Sequence, residues 1–328
     1  MAQDNRDIIV IGGSRGAVPA LRQLCTELPT DLPATLFIVV HIGRQGRDLL
    51  AEILNARSPL PVVTATDGAP IERGTIYVAP ADRHLLIWKN RIRLGSGPRE
   101  NMSRPSVDPT LRSAALQYGP RVIGVVITGM LNDGAAGLAC VQQCGGITMV
   151  QNPTDAEAAD MPWSALESVQ VDYTASIADM AEQLAALSRE HAGPTRPVPF
   201  GTALEVQIAL GGVATTQTIA AIADPATFAC PSCGGVLSEI KHKPPLRFRC
   251  QIGHAYTAVA LETQQESATD EALRTALRII EERATLVERM AEDVGDRGQA
   301  SRMWDERACE FRQHADVIRQ ALIKSHGE

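Results

Sequence analysis

The sequence predicts an α/β protein with a doubly wound, mainly parallel sheet, followed by a small ribbon and an antiparallel helical hairpin. Three observations predict this architecture. Short β-branched apolar runs alternate with helical patterns over residues 7–190, cysteine-containing turns follow near residues 230 and 250, and two amphipathic stretches come last. At 328 residues, the chain is long enough for about two domains.

Residues 1–192 are expected to form the sheet domain. The strand-like runs are DIIVIGG, TLFIVVH, GTIYVAP, RVIGVVIT and GITMVQ, and helical segments such as AVPALRQLCTEL separate them. Parallel strands covered by helices on both faces are apolar throughout, so this alternation indicates βαβ units.

A proline-rich segment, GPTRPVPFG at 193–201, interrupts the alternation, and the sequence after it is only weakly helical. We therefore assign residues 193–226 to a linker, 227–260 to the ribbon-like module and 261–328 to the hairpin. The polar segment DVGDRGQAS between the two amphipathic stretches fits a turn. Apolar residues recur at spacings of three and four on either side of that turn: Leu273, Leu277, Ile280, Ala284, Val287 and Met290, then Trp304, Ala308, Phe311, Ala315, Ile318 and Leu322.

Composition excludes several function classes. The net charge of −7 and pI near 5.6 argue against nucleic-acid binding, which needs a surplus of Lys and Arg. The polar N-terminus lacks the pattern of a signal peptide, and no apolar run approaches the roughly 20 residues of a membrane helix. We therefore expect a cytoplasmic protein without membrane insertion. The seven cysteines are spaced as reduced thiols with one local cluster, rather than as a disulfide framework.

The motif GGSRGA at 12–17 follows the first strand and precedes a helix. Such a turn exposes Ser14 as a nucleophile, but it is also typical of a dinucleotide-phosphate cradle, and GGSRG is similar to short-chain dehydrogenases. Two observations disfavour the dinucleotide interpretation. The second strand ends in His41 and not in the Asp or Glu that would hold a ribose, and no lysine has a tyrosine four positions before it.

His41 and Asp133 also follow buried strand-like runs, so they are expected at the same sheet edge as Ser14. A serine needs a base to remove its proton, a histidine suits that task, and an aspartate fixes the imidazole tautomer. The three residues therefore predict an acyl-transfer site. Their chain order, Ser then His then Asp, differs from the Ser, Asp, His order of α/β-hydrolases and disfavours an ordinary esterase of that fold.

Ordered blocks over residues 7–190 resemble the catalytic domain of the chemotaxis protein-glutamate methylesterase, CheB: IGGSRGAVPAL, VVHIG, YVAPADRHLLI, RPSVDPTLRSAA, VITGMLNDGAAGL, VQNPTDAE and MPWSAL. The resemblance implies hydrolysis of glutamyl methyl esters on a receptor or other signalling protein, in a pathway with a cognate methyltransferase, and deamidation of glutamine. It implies that Ser14 attacks, His41 transfers the proton, Asp133 orients His41, and N–H groups near Arg15 and Met130 hold the oxyanion.

The chain departs from the family pattern in two segments near the serine. Arg15, Gly16 and Ala17 replace the usual small or hydroxyl residue followed by two glycines, and Leu131 stands where glycine is common. The receiver domain of the chemotaxis enzymes is also not expected. These departures keep an alternative open, in which an inactive methylesterase-like scaffold acts as a signalling interaction protein.

A second motif pairs Cys230-x-x-Cys233 with Cys250-x-x-x-His254, separated by sixteen residues. Each half has ligand spacing and lies beside a glycine turn, which predicts a tetrahedral zinc site. Four protein ligands leave no position for a catalytic water, so we expect the zinc to be structural. Catalysis itself needs no cofactor under this interpretation. Stand-alone relatives of the methylesterase resemble this chain in carrying such a tail, for which we expect a role in interaction or docking.

Overall fold

A computed structural model of the chain describes residues 5–41, 49–212, 214–294 and 299–325. The chain divides into two compact units, Met1–Leu261 and Glu262–Glu328. The first unit carries the sheets, and the second carries most of the C-terminal helical pair. Among the described residues, no helix is both long enough and apolar enough to cross a membrane.

The first half of the chain has nine strands among the described residues, and seven of them form one parallel sheet. In chain order the strands are β1 (Ile8–Gly13), β2 (Thr35–Val40), β3 (Val62–Thr64), β4 (Ile76–Val78), β5 (His84–Trp88), β6 (Arg91–Gly95), β7 (Val122–Val126), β8 (Ile147–Gln151) and β9 (Tyr173–Ala175). The spatial order is β3-β4-β2-β1-β7-β8-β9, while β5 and β6 form a separate antiparallel pair.

Helices cover both faces of the large sheet: α1 (Ala17–Glu27), α2 (Leu50–Asn55), α3 (Val107–Tyr118), α4 (Ala135–Gln143), α5 (Asp160–Ser168) and α6 (Ile177–Arg189). Successive strand residues point to opposite faces. Ile9 and Ile11 accordingly pack into the core under α1, α2 and α6, whereas Ile8 and Val10 pack into the core under α3, α4 and α5. The predicted doubly wound sheet is confirmed.

The topology brings three loops together at one edge. β1 lies between β2 and β7 and pairs with both in parallel, so the carboxyl ends of these strands are neighbours. The chain winds one way from β1 through β2 and then returns to β7 on the other side of β1. Open α/β sheets bind ligands at such a switch point.

Two helices and a small sheet follow: α7 (Thr202–Leu210), α8 (Thr216–Ile222), β10 (Ala223–Ala229), β11 (Val236–Ile240), β12 (Arg247–Cys250) and β13 (Ala255–Thr257). The four strands pair antiparallel in sequence order. Within the segment predicted as a linker, 193–226, the structure therefore has two helices. They form because Ile208, Ile219 and Ile222 share an apolar cluster with Ile240 of β11.

The C-terminal helices are α9 (Ala258–Val294) and α10 (Gln299–Ser325). Ala284 and Val287 of α9 pack with Ala308 and Phe311 of α10, as the apolar spacing predicts, and the hairpin is confirmed. Met290, predicted on the same stripe, is 37% exposed, and Ala291 is buried instead. Residues 295–298 of the predicted turn lie outside the described residues.

Candidate active site

Ser14 lies in the turn that joins β1 to α1. The Ser14 N–H donates to the Thr128 carbonyl (2.9 Å), and the Thr128 hydroxyl donates to the carbonyl of Arg15 (2.9 Å). Gly16 has φ of 76°, and a Cβ there would lie 2.7 Å from the Cβ of Glu157. A tight, glycine-dependent turn held against the loop after β7 therefore presents the serine at the sheet edge.

His41 follows β2 and bridges the other two residues. Its Nδ1 lies 3.1 Å from Ser14 Oγ, and its Nε2 lies 2.7 Å from Asp133 Oδ2. The imidazole is 18% exposed and the carboxylate only 2%. With the carboxylate ionised, Nε2 carries the ring proton and Nδ1 is free to accept from Ser14. In serine proteases Nε2 faces the serine and Nδ1 donates to the aspartate. Either arrangement works, because it needs only one ring nitrogen that donates to the acid and one that accepts from the serine.

Asp133, between β7 and α4, lies at the N-terminus of α3. Ser106 occupies the N-cap position of that helix, yet its hydroxyl donates to Asp133 and accepts no N–H group of its own helix. The carboxylate thus accepts the first N–H groups of α3, where the helix dipole favours an anion. Besides His41, its donors are Asn101 Nδ2 (3.0 Å), Ser106 Oγ (2.9 Å), Val107 N (2.6 Å), Asp108 N (3.2 Å) and Gly134 N (3.0 Å).

These contacts set the charge of Asp133. Burial opposes ionisation, but the hydrogen bond and charge of His41, together with the donors Val107 and Asn101, outweigh it and hold the pKa of the carboxyl well below its ordinary value. Asp108 behaves in the opposite way. Burial and the charge of Asp133 raise the pKa of its carboxyl to about 7. Neighbouring acids pushed apart in pKa are typical of functional sites.

Two backbone N–H groups beside the serine have no acceptor among the described residues. They belong to Arg15 and Met130, whose side chains are in contact, with Arg15 Nη1 3.8 Å from Met130 Sδ. The flanking Gly129 has no room for a side chain, because a Cβ would lie 2.9 Å from Ser14 Cβ. Arg15 directly follows Ser14, and Met130 follows Gly129 in the loop after β7, so both N–H groups remain the predicted oxyanion donors.

A sequence model described as CheB methylesterase matches residues 9–184, more than half of the chain. The chain belongs to the CheB methylesterase family. The matched part ends before α7, so the family assignment describes the methylesterase domain and leaves the residues beyond 184 outside it.

Similar proteins carry consistent names. A putative protein-glutamate methylesterase/protein-glutamine glutaminase from Leptospira interrogans is 38% identical over 179 residues, 54% of this chain and 93% of that protein. A protein-glutamate methylesterase/protein-glutamine glutaminase 2 from Methanosarcina mazei is 34% identical over 192 residues, 56% of this chain and 52% of that protein. This chain therefore spans about half the length of the Methanosarcina protein.

A solved structure supports the same assignment. The crystal structure of the Thermotoga maritima CheB methylesterase catalytic domain superposes with a TM-score of 0.53 at 32% identity. The match covers 55% of this chain and 98% of that chain. The methylesterase domain is thus aligned over nearly the whole of its crystallised relative.

Both departures from the family pattern lie at the rim of the site. Leu131 adopts φ of 62°, a left-handed conformation that favours glycine, which is the residue the methylesterase family often has there. Arg15 is exposed, and its Nε lies 3.8 Å from Glu157. Neither side chain enters the hydrogen-bonded path between Ser14 and Asp133.

Sequence reasoning missed the residues that surround the acid, namely Asn101, Ser106 and Asp108. Ser106 and Asp108 lie in RPSVDPTLRSAA, where Ser-x-Asp-Pro before an apolar helical pattern indicates a helix start. That signal predicts a cap for α3. It does not reveal that the cap serves a carboxylate 25 or more residues away.

The Cys230, Cys233, Cys250 and His254 side chains converge, with their ligand atoms all within 4.8 Å of one another. Cys233 Sγ lies 3.7 Å from Cys250 Sγ, and His254 Nδ1 lies 3.5 Å from Cys250 Sγ and 3.8 Å from Cys230 Sγ. A tetrahedron with Zn–S bonds of about 2.3 Å has S–S edges of about 3.8 Å. The donor set and its spacing therefore fit a closed tetrahedral metal site.

Proposed function

We propose that this methylesterase-family protein hydrolyses methyl esters of glutamate side chains on a signalling protein, with Ser14 as nucleophile, His41 as base and Asp133 as its partner. The observation that supports this most strongly is the continuous hydrogen-bonded path from Ser14 Oγ through His41 to Asp133 at the switch point of the sheet. An exposed serine with a base and an orienting acid is the arrangement that acyl transfer requires.

The reaction proceeds in two halves. Ser14 Oγ attacks the ester carbonyl while His41 Nδ1 takes its proton, and the N–H groups of Arg15 and Met130 stabilise the oxyanion. The intermediate collapses as His41 returns the proton to the departing methanol. A water molecule, deprotonated by His41, then attacks the glutamyl ester of Ser14, releasing a glutamate carboxyl and restoring the serine.

The same residues support deamidation of glutamine, because only the leaving group changes. The amide nitrogen takes the proton from His41 and leaves as ammonia, and hydrolysis of the glutamyl ester follows as before. The expected substrate is a methylated receptor or another signalling protein whose esters a cognate methyltransferase forms. Arg15, exposed beside the nucleophile, suits a surface that carries further carboxylates.

The test is methanol release from cell membranes that carry methylated receptors. We expect Ser14→Ala and His41→Ala to abolish release, and Ser14→Ala to keep the thermal unfolding midpoint, because it removes one partly exposed hydroxyl. Ser58→Ala, a part-exposed serine elsewhere in the domain, serves as the control. Release that continues unchanged in Ser14→Ala would overturn the proposal.

A fluorophosphonate probe distinguishes the enzyme from the inactive scaffold. Labelling that requires both Ser14 and His41 supports the enzyme, since the probe reacts only with an activated serine. A folded wild-type protein that remains unlabelled would instead support the alternative, a signalling interaction protein.

We also propose that Cys230, Cys233, Cys250 and His254 hold one structural Zn²⁺. The measurement is zinc per chain by mass spectrometry, with Cys230→Ser and Cys250→Ser expected to lose the metal. Cys309→Ser, which removes an exposed thiol outside the cluster, is the matched control. Folded, metal-free native protein whose cluster thiols all react with a thiol reagent would contradict the assignment.

A further inference from the structure

β13 of the ribbon-like module lies against the residues that surround Asp133. The Thr257 N–H donates to Asn101 Oδ1 (3.0 Å), and the Asn101 Nδ2 donates to Asp133 Oδ1 (3.0 Å) and Asp108 Oδ2 (3.0 Å). All four residues are buried, so water does not replace these contacts. A chain of hydrogen bonds therefore runs from the module to the acid of the proposed triad.

The Thr257 N–H decides which way the Asn101 amide points. With its oxygen taken by that donor, the amide presents its N–H₂ group to the two carboxylates. The flipped amide would place an oxygen against the ionised Asp133 and would leave the Thr257 N–H without a partner, both costly in a buried site. The module thus selects the orientation that supports an ionised Asp133.

The backbone around Asn101 is held by the same strand. The Asn101 N–H donates to the Ala255 carbonyl (2.9 Å), and the Ala255 N–H donates to the Arg99 carbonyl (3.3 Å). Asn101 has φ of 47°, a left-handed conformation that asparagine tolerates. Ala255 directly follows His254 of the Cys/His cluster, so the end of that cluster is continuous with the strand that fixes Asn101.

A buried arginine links the two sides a second time. Arg249 of β12 donates to the Gly253 carbonyl (2.9 Å), beside His254, and to Glu100 Oε1 (3.0 Å), beside Asn101. Its side chain is fully buried. The Arg249 guanidinium therefore forms hydrogen bonds both to the loop that carries His254 and to the loop that carries Asn101.

We infer that Asn101 is a positioning residue for the triad acid and that the metal-bound module, through the Thr257 N–H, holds it in place. The inference rests on the proposed function for its effect on catalysis. It makes hydrolysis depend on metal at the Cys/His cluster, although that metal touches no reacting atom. The module then acts as a built-in support of the active site.

The first experiment isolates the two hydrogen bonds. Asn101→Asp keeps the side-chain shape, the left-handed backbone and the acceptor for Thr257, but it replaces the donor to Asp133 with a third carboxyl group. Thr257→Pro removes the N–H and fixes φ, whereas Thr257→Val loses the same hydroxyl and retains the N–H, so the ratio of kcat between these two variants reports the N–H together with the backbone constraint of proline. We expect Asn101→Asp and Thr257→Pro to lower kcat for methanol release roughly 10- to 100-fold, the effect of one hydrogen bond to a charged group, with KM unchanged.

The second experiment tests the link to the metal. Zinc-loaded and chelator-stripped samples of the full chain are compared in the wild type and in Asn101→Gly, which removes the side chain and allows the left-handed backbone. Stripping should lower kcat and the rate of fluorophosphonate labelling in the wild type but add little in Asn101→Gly, because the contact through which the metal acts is already gone. Amide hydrogen exchange at Thr257 should rise on stripping in the wild type, whereas in Asn101→Gly it should be fast in both samples, because the N–H has lost its acceptor.

The outcomes separate cleanly. An active wild type with kcat unchanged in Asn101→Asp overturns the inference, and so does equal loss of labelling on stripping in wild type and Asn101→Gly. If Thr257→Pro does not fold, Asn101→Asp and Asn101→Gly still decide. A wild type that releases no methanol and takes no label contradicts the proposed function instead. In that case the metal link is still tested, because hydrogen exchange at Thr257 that is the same with and without zinc contradicts it.

Discussion

At the scale of single residues, Asp133 keeps its negative charge in a place that water hardly reaches. Burying a carboxylate is costly unless hydrogen bonds and opposite charges replace its hydration. Here the amide of Asn101, the hydroxyl of Ser106 and the first N–H groups of α3 provide that replacement. The charge is therefore available to fix the His41 ring before any substrate arrives, as electrostatic preorganisation requires.

Asp133→Asn tests this role. An amide can present N–H₂ to His41 Nε2, which forces the ring proton onto Nδ1 and removes the acceptor that Ser14 needs. We expect kcat to fall roughly 10³- to 10⁴-fold with little change in KM, as for the corresponding change in serine proteases. Steady-state methanol release measures both constants. The exposed Asp31→Asn provides the control, and a loss below about tenfold would count against the orienting role.

Asp108 gives a pH-dependent prediction. Burial and the neighbouring Asp133 raise the pKa of its carboxyl to about 7, so between its ordinary pKa and 7 the folded protein binds a proton that the unfolded chain has lost. Its contribution to the free energy of unfolding is therefore complete at low pH and is lost as pH rises through about 7. In urea unfolding, the stability of the wild type relative to Asp108→Asn should decline from pH 5 to pH 7.5. A difference that is constant with pH would contradict the assignment.

The triad residues were accessible from the sequence because each directly follows an apolar strand-like run in a recognisable turn. Asn101 was not accessible. Its position depends on a left-handed loop and on Thr257, which is 156 residues away in the chain. No local pattern records which distant backbone group will face an asparagine side chain.

At the scale of secondary-structure elements, the β1–α1 turn depends on the space beside Gly16. Its φ of 76° excludes most side chains, and the approach of Glu157 excludes a Cβ even where the backbone tolerates one. Gly68 has nearly the same φ, 78°, with no atom within 4 Å of a Cβ. Substitutions at Gly16 and Gly68 therefore separate the cost of backbone strain from the cost of steric overlap.

We expect Gly68→Ala to lower the free energy of unfolding by about 1 kcal/mol, the cost of a left-handed residue with a Cβ. Gly16→Ala should cost more, about 2 to 3 kcal/mol, because the overlap adds to the same strain. It should also slow fluorophosphonate labelling of Ser14. Denaturant unfolding measures the first effect, and equal losses in the two variants would show that the contact with Glu157 is not tight.

Helices and strands differ in how well the adjacent residues of the sequence predict them. β1, β2, β7 and β8 come from β-branched runs, and the pairing of α9 with α10 comes from apolar spacing. The sequence assigns 193–226, which contains α7 and α8, to a linker, because this segment opens with a proline-rich stretch and is otherwise only weakly helical. Their stability comes from Ile240, which lies in a strand that the sequence places in another module.

At the scale of the first unit, a cluster of buried charges joins the methylesterase domain to the module. Glu100 and Arg112 come from the domain, Glu205 from α7, and Arg247 and Arg249 from β12. Burial opposes ionisation of Glu205, but the three arginines outweigh it and lower the pKa of its carboxyl. Removing one member leaves charges without compensation, which is the costly case for a buried ion pair.

Arg249→Met should therefore lower the free energy of unfolding by about 3 kcal/mol, because the replacement fills similar space but leaves Glu100 and Glu205 each short of a partner. Arg278→Met, which breaks an exposed pair with Glu282 on α9, should change stability little. Urea unfolding of both variants provides the comparison. Similar small losses in the two would show that the cluster is better hydrated than its burial indicates.

The sequence predicts the sheet and the helices that cover it, but not the contacts that attach the ribbon-like module to them. Alternating strands and helices predict the doubly wound sheet wherever they occur, and Cys/His spacing predicts a compact cluster. The contacts that join them depend on five charged side chains spread from Glu100 to Arg249. Charges at such separations pair only once the fold exists, so no sequence pattern identifies the partners.

The hydrogen bond from Thr257 to Asn101 has a consequence for biosynthesis. A ribosome adds Ser14, His41 and Asp133, the proposed triad, well before it adds the strand that orients the asparagine. A nascent chain that stops short of β13 lacks the N–H that fixes the Asn101 amide, and it therefore lacks one support of Asp133. That support is completed late in translation, after the residues of the proposed triad.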